Sequence, residues 1–277
     1  MKTIALPSGE HVPALGMGTW MMGEDPARRA NEIASLQHGI GLGMTLIDTA
    51  EMYGEGAAET LIGEAIRGRR DQVFLVSKVY PHNAGRRSMP IACERSLQRL
   101  RVDCLDLYLL HWSGSIPLDE TVEAFERLRA AGKIRHWGVS NLDVRDMKAL
   151  FAEPEGERCA VDQVLYNLSR RGIEWDLLPW CQTHDMPVMA YSPLEQARLL
   201  RNRELASLAA SRGATAAQLA LAWLLHQEGV IAIPKATGRS RVEENFGALE
   251  LVIDAELRAA LDRIFPPPAG PGPLEMI

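Results

Sequence analysis

Short apolar runs and stretches of helical period take turns along this chain, and that alternation constrains its fold more than any other feature. Strand-like runs occupy 15–18, 45–48, 73–78, 105–111, 136–140, 161–165, 187–191 and 230–234. Helical patterns lie between them, over roughly 33–40, 57–67, 91–100, 118–131, 144–151 and 175–184, followed by a helical pair over 204–227. Strict alternation demands a parallel sheet, because parallel neighbours need a crossover and a helix is the usual one. Eight such units favour closure into an α/β barrel, a single (β/α)8 TIM barrel, and 277 residues are enough for one. An open doubly wound sheet is the rival, and it advertises a glycine-rich phosphate turn after its first strand. The nearest candidate, Gly39-x-Gly41-x-Gly43, lacks the third-glycine spacing and leads into a strand, so it reads as a helix stop. One domain over 1–277 is expected. It begins with a hairpin in 1–14 around Pro7-Ser8-Gly9, carries extra helices near the C-terminus and ends in a Pro- and Gly-rich tail, 266–277.

The net charge of -6 offers nothing to a phosphate backbone or an anionic lipid surface, so neither nucleic acid nor membrane is an expected partner. The start has one Lys and too short an apolar run for a signal peptide, which makes the cytoplasm the expected location. The longest apolar run, 216–225, is interrupted by Gln218 and reads as a buried helix rather than a membrane span. Cys93, Cys104, Cys159 and Cys181 show no C-x-x-C spacing and read as reduced core thiols; no metal motif occurs. A monomer is the expectation.

Side chains at the carboxyl ends of barrel strands converge on one face, where the chemistry of such folds sits. TLIDTAEMYG ends its strand in Asp48 and carries Tyr53 on the loop; VFLVSK ends in Lys78; LDLYLLHW ends in His111 and Trp112. Singly, each has a plain reading: Asp48 as a helix cap, Tyr53 as surface packing, His111 as a hydrogen-bonded core histidine. Lys78 is harder to dismiss, because burying an ammonium without an acid is costly, and Asp48 is the available acid. Together the four make a device for protonating an oxygen that acquires negative charge. An ammonium about 4 Å from a phenol favours the phenolate by about 4 kcal/mol at an effective dielectric of 20, with desolvation opposing. We expect Tyr53 to be lowered by about one or two pH units.

In this order, IDTAEMYG, LVSK and LYLLHW resemble the Asp, Tyr, Lys and His motifs of the aldo-keto reductases, a barrel family that reduces carbonyls with nicotinamide cofactors. The similarity runs from about residue 15 to residue 265. It implies that Tyr53 is the general acid, that Lys78 and Asp48 tune it, and that His111 orients the carbonyl.

The resemblance also implies a cofactor site. Ser140, Asn141 and Gln163 match the clamp on the nicotinamide carboxamide, although Asn141 is equally a candidate cap for the next helix. Tyr191, in AYSPLEQ, would stack on the nicotinamide while Ser192 and Leu194 line the pyrophosphate; an aromatic at a strand end is otherwise core. Gly18, Thr19, Trp20 and Asp48 complete the near end. IPKATGRSRVEEN resembles the adenosine-phosphate motif, with Lys235, Thr237 and Arg241 on the 2′-phosphate and Glu244 and Asn245 at the adenine. Its plain alternative is a solvated basic turn. NADPH or NADP is therefore expected ahead of NADH, a preference weakened by Ala236, which stands where the family often has Ser.

Trp20, Tyr53, His111 and Trp112 would form the substrate pocket, with Met21, Tyr80 and His82 at the same face. The loop WSGSIP and the tail are short, so a shallow, permissive pocket is expected for a small-molecule carbonyl. Within the family the chain is most similar to bacterial reductases of small aldehydes such as methylglyoxal. Two alternatives stand beside that reading: an NADPH-binding regulatory subunit of the same fold, and an enzyme working mainly as an NADP-dependent alcohol dehydrogenase.

Overall fold

The computed structural model describes residues 1–277. An antiparallel hairpin, β1 (Thr3–Ala5) and β2 (His11–Pro13), precedes eight parallel strands. These are β3 (Met17–Gly18), β4 (Leu46–Asp48), β5 (Phe74–Val79), β6 (Leu105–Leu110), β7 (Ile134–Ser140), β8 (Asp162–Leu165), β9 (Val188–Tyr191) and β10 (Val230–Ala232), hydrogen-bonded in sequence order. The first and last meet. Gly16 N donates to Ala232 O at 2.8 Å, Ala232 N to Ala14 O at 2.8 Å, and Gly18 N to Pro234 O at 3.1 Å. The expected (β/α)8 barrel is the observed architecture.

Successive side chains of a strand face opposite ways, and that sorts this sequence into two cores. A set of 62 buried side chains lies largely between strands and helices, and a separate set of twelve includes Leu46, Phe74, Val76, Leu107, Leu109, Val161, Met189 and Ile231. The second set follows alternate positions along the strands, which places it inside the barrel. Continuing the alternation brings Asp48, Lys78, His111, Ser140, Gln163 and Tyr191 to the carboxyl end of the same lumen. Leu6 and Val12 of the hairpin join the inner set and plug the opposite end. Where the lumen is tight the sequence has Gly: a Cβ on Gly138 would sit 2.7 Å from Val161 O.

The outer layer is α1 (Arg29–Leu42), α2 (Ala57–Ala65), α3 (Ser88–Leu100), α4 (Leu118–Ala130), α5 (Val144–Ala152), α6 (Leu177–Thr183), the pair α7 (Arg203–Ser211) and α8 (Ala216–Leu225), then α9 (Arg239–Gly247) and α10 (Ala255–Ile264). Only Gly43 of the glycine cluster stops α1, as its left-handed cap at φ 97°; Gly39 and Gly41 lie inside the helix. The apolar run at 216–225 is α8, buried along nearly its whole length and started by a Thr215–Gln218 capping box. No helix is long and apolar enough to cross a membrane. The four cysteines are free thiols; three are buried, and burial pushes Cys93 up to about 12.

Candidate active site

The inward-facing strand ends β4 and β5 meet as an ion pair. Lys78 is fully enclosed, and its Nζ donates to Asp48 Oδ2 at 2.8 Å, to Thr49 O at 2.9 Å and to the Tyr53 hydroxyl at 3.1 Å. Asp48 does not cap α2, whose N-cap is Gly56. Tyr53 opens a 3-10 turn, Tyr53–Gly56, and its backbone bends back through Gly54 at φ 56°. His111, just past β6, faces Tyr53 edge-on with ring centroids 5.8 Å apart. The structure therefore brings the four residues together at one mouth. Trp112 lies against His111 at 4.8 Å, Tyr80 approaches Trp112 at 6.0 Å, and His82 stacks on Tyr80 at 4.9 Å. Trp20 and Met21 are exposed. A separate cavity of about 430 Å³ lies between α5, the loop before α6 and the tail, and none of the four residues lines it.

Electrostatics in this cluster follow from burial against a single cation. Desolvation alone would lower Lys78, but Asp48 and then Tyr53 outweigh it and hold the ammonium above its ordinary value. Burial is also the largest influence on Tyr53 and raises it; Lys78 pulls it down, and Asp48 raises it again. The lowering expected from the sequence is thus reversed. The acid that fixes the ammonium also cancels part of its pull, and enclosure does the rest. Tyr53 stays a protonated phenol, the form able to donate. Burial, then Lys78, lowers His111 from 6.5 to about 3, leaving a neutral imidazole whose Nδ1 is enclosed without a partner.

The expected cofactor residues fall into four groups. Gln163 Nε2 donates to Asp48 Oδ1 at 2.7 Å, and Ser140 Oγ donates to Gln163 O at 2.7 Å, so these two buttress the ion pair. Asn141 is not a cap, since Asp143 caps α5; it sits at φ 61°, donates to His111 O at 3.2 Å and accepts from the Tyr191 hydroxyl at 3.0 Å. Tyr191 is half-buried at the mouth, with Ser192 and Leu194 beyond it. Gly18 and Thr19 are enclosed, and Thr19 Oγ1 donates to Asp48 O at 2.9 Å; of that segment only Trp20 reaches the surface. At the far end, no side chain caps α9, which leaves its first amides for an anion. Lys235 and Arg241 are exposed beside it, Thr237 and Glu244 are half-buried, and Asn245 is enclosed. Although its side chain reaches solvent, desolvation by the surrounding chain lowers Lys235, with Glu32 opposing and Arg28 adding to the effect. An aromatic face at one end and an uncapped helix flanked by two cations at the other suit a phosphorylated dinucleotide.

Sequence reasoning missed residues that act on loops. Glu51 accepts from Tyr80 N at 2.7 Å and from Asn83 Nδ2 at 3.1 Å, tying the Tyr80 loop to the Asp48 loop. Its position inside IDTAEMYG was a usable signal. Asn167, Arg170 and Glu195 form a second network, and the only hint of it was a polar run after β8.

Residues 14–265 match the family model described as the Aldo/keto reductase family. The chain is 53% identical to methylglyoxal reductase YeaE of Escherichia coli (strain K12), covering 100% of this chain and 99% of that one. It is 33% identical to glyoxal reductase of Bacillus subtilis (strain 168), covering 99% and 97%. Among solved structures it is similar to an aldo/keto reductase from Klebsiella pneumoniae in complex with NADP and acetate, with 55% identity, a TM-score of 0.98 and 100% and 99% of the two chains covered.

Proposed function

The chain belongs to the aldo/keto reductase family, and on that premise we propose that it reduces small aldehydes and ketones of the methylglyoxal type to alcohols with NADPH. Methylglyoxal and glyoxal reductases among its relatives, and NADP in the similar Klebsiella structure, support this reading. The observation that carries it is the placement of Lys78 Nζ 2.8 Å from Asp48 Oδ2 and 3.1 Å from the Tyr53 hydroxyl.

When bound, the nicotinamide supplies the hydride to the carbonyl carbon. Tyr53 gives its hydroxyl proton to the carbonyl oxygen as negative charge develops there, so the product is the neutral alcohol. Lys78 stabilises the phenolate that Tyr53 becomes, and Asp48 keeps Lys78 charged and aimed. His111, neutral, orients the carbonyl oxygen. Ser140, Asn141, Gln163, Tyr191, Ser192 and Leu194 serve the near half of the cofactor; Lys235, Thr237, Arg241, Glu244 and Asn245 serve the adenosine end. Trp20 and Trp112 wall the substrate. Residues 1–277 work as one unit, a monomer in the cytoplasm, which size-exclusion chromatography and fractionation test.

The decisive assay follows loss of reduced-cofactor absorbance on adding methylglyoxal or a nitrobenzaldehyde. Tyr53→Phe abolishes turnover while binding NADPH like the wild type. Retained turnover would remove Tyr53 from its role, and silence of the wild type across an aldehyde panel would return the regulatory-subunit reading.

A further inference from the structure

The loop that leaves β9 has a backbone that needs outside support. Ser192, Glu195, Gln196 and Ala197 all have positive φ, from 47° to 67°, where a Cβ crowds the following carbonyl oxygen. Such a conformation persists only where its surroundings enforce it. The support comes from the loop after β8. Asn167, fully enclosed, donates from Nδ2 to Ser192 O and to Glu195 Oε2, both at 2.9 Å. Arg170 sets Nε and Nη2 on Glu195 Oε1 at 3.1 and 3.0 Å. Glu195 is only 4% exposed, so its charge depends on that fork; Arg198 stands farther off at 3.6 Å. The remaining nitrogen of Arg170, Nη1, donates to Glu275 Oε1 of the tail at 2.5 Å. Beyond Glu275 the tail brings the Ile277 amide beside the Tyr191 hydroxyl.

We propose that Arg170 is a positioning residue that couples the tail to the cofactor loop, so that docking of Glu275 prolongs the residence of NADPH. The proposal rests on the reading that Ser192 and Leu194 line the pyrophosphate. With Glu275 in place, the guanidinium plane is fixed and its fork meets Glu195. Without it, Arg170 is free to swing toward water, Glu195 is left as a poorly paired buried charge, and the left-handed turn relaxes away from the phosphates.

The test measures NADPH release by stopped-flow recovery of tryptophan fluorescence, with no carbonyl present, for Glu275→Gln, Arg170→Lys, Arg170→Met and the Glu275→Gln/Arg170→Met double variant. Glu275→Gln releases NADPH about fivefold faster, as befits a half-exposed ion pair. Arg170→Met releases it at least about tenfold faster, because a buried carboxylate loses its partner. Arg170→Lys falls between, keeping the charge without the fork. The double variant is no faster than Arg170→Met alone, since Glu275 acts only through Arg170. A purely structural role would lower the melting temperature and leave release unchanged. Wild-type release from Glu275→Gln, or effects that multiply in the double variant, would overturn the coupling. If Arg170→Met does not fold, Glu275→Gln and Arg170→Lys decide. A wild-type protein whose fluorescence does not respond to NADPH at all defeats the cofactor reading and the proposal with it.

Discussion

Replacing Lys78 by Met removes a cation without opening a large void, and its effect can be worked from the distances. At an effective dielectric of about 20, an ammonium 3.1 Å from a phenolate oxygen stabilises it by about 5 kcal/mol. Asp48, on the same ammonium at 2.8 Å, takes back part of that. About 3 kcal/mol should survive as transition-state stabilisation, so kcat for methylglyoxal at saturating NADPH falls roughly a hundredfold. A second effect must be separated from the first. Asp48 becomes an unpaired buried carboxylate, which costs about 3–5 kcal/mol of stability. The Asp48→Asn/Lys78→Met double variant removes that charge, so its melting temperature recovers toward wild type while kcat stays low. Melting curves and steady-state rates on the three proteins give both answers. If Lys78→Met keeps kcat within threefold of wild type, or the double variant regains turnover, the ammonium does not stabilise the phenolate and the mechanism is wrong.

Other consequences are independent of that one. Arg241→Ala should weaken NADPH about tenfold or more in equilibrium titration, the loss of a charge-assisted phosphate contact, and leave NADH nearly unchanged; equal losses place the 2′-phosphate elsewhere. His111, lowered from 6.5 to about 3, refuses a proton that the unfolded chain accepts, so its contribution to stability is lost as pH falls from about 6.5 toward 3. Urea midpoints of His111→Gln should therefore be flatter than wild type across that window. Asp162 is fully enclosed, and burial raises it well above 3.8 although the Leu142 amide pulls the other way. Such a group favours the folded state when protonated and costs stability as pH rises above 3.8, so Asp162→Asn should raise the melting temperature at pH 7, with the gain shrinking toward pH 4.

The strands were legible because parallel strands covered on both faces read as nearly unbroken apolar runs, as VFLVSK and LDLYLLHW do. Polar residues ending such runs, Asp48, Lys78 and His111, were legible for the same reason: alternation alone sends them to one mouth. The Thr3–Ala5 and His11–Pro13 hairpin was marked by its Pro-Ser-Gly turn. Harder to see was anything that depends on distance through space. No local pattern announces that the Thr19 hydroxyl donates to Asp48 O, a partner 29 positions away. Strand 15–18 shrank to Met17–Gly18 because Leu15 pairs across the closure only as a single bridge to Ala232. The sign of the Tyr53 shift failed because enclosure is a property of the assembled mouth, and a pairwise charge argument cannot supply it.

Closure through Ala14, Gly16 and Ala232 joins the first and last strands of the ring by a few amide-to-carbonyl hydrogen bonds. Such a contact joins residues far apart in the sequence, Ala14 and Ala232, and pairings of that kind are slow to find because a long loop must close first. Synthesis adds to the delay, because β10 leaves the ribosome after every other strand of the ring. Asp48, Lys78 and His111 lie on or just past three consecutive early strands, whereas the residues proposed for the adenosine end follow β10. On a nascent chain the residues proposed for proton transfer are therefore made before those proposed to hold the adenosine end of the cofactor.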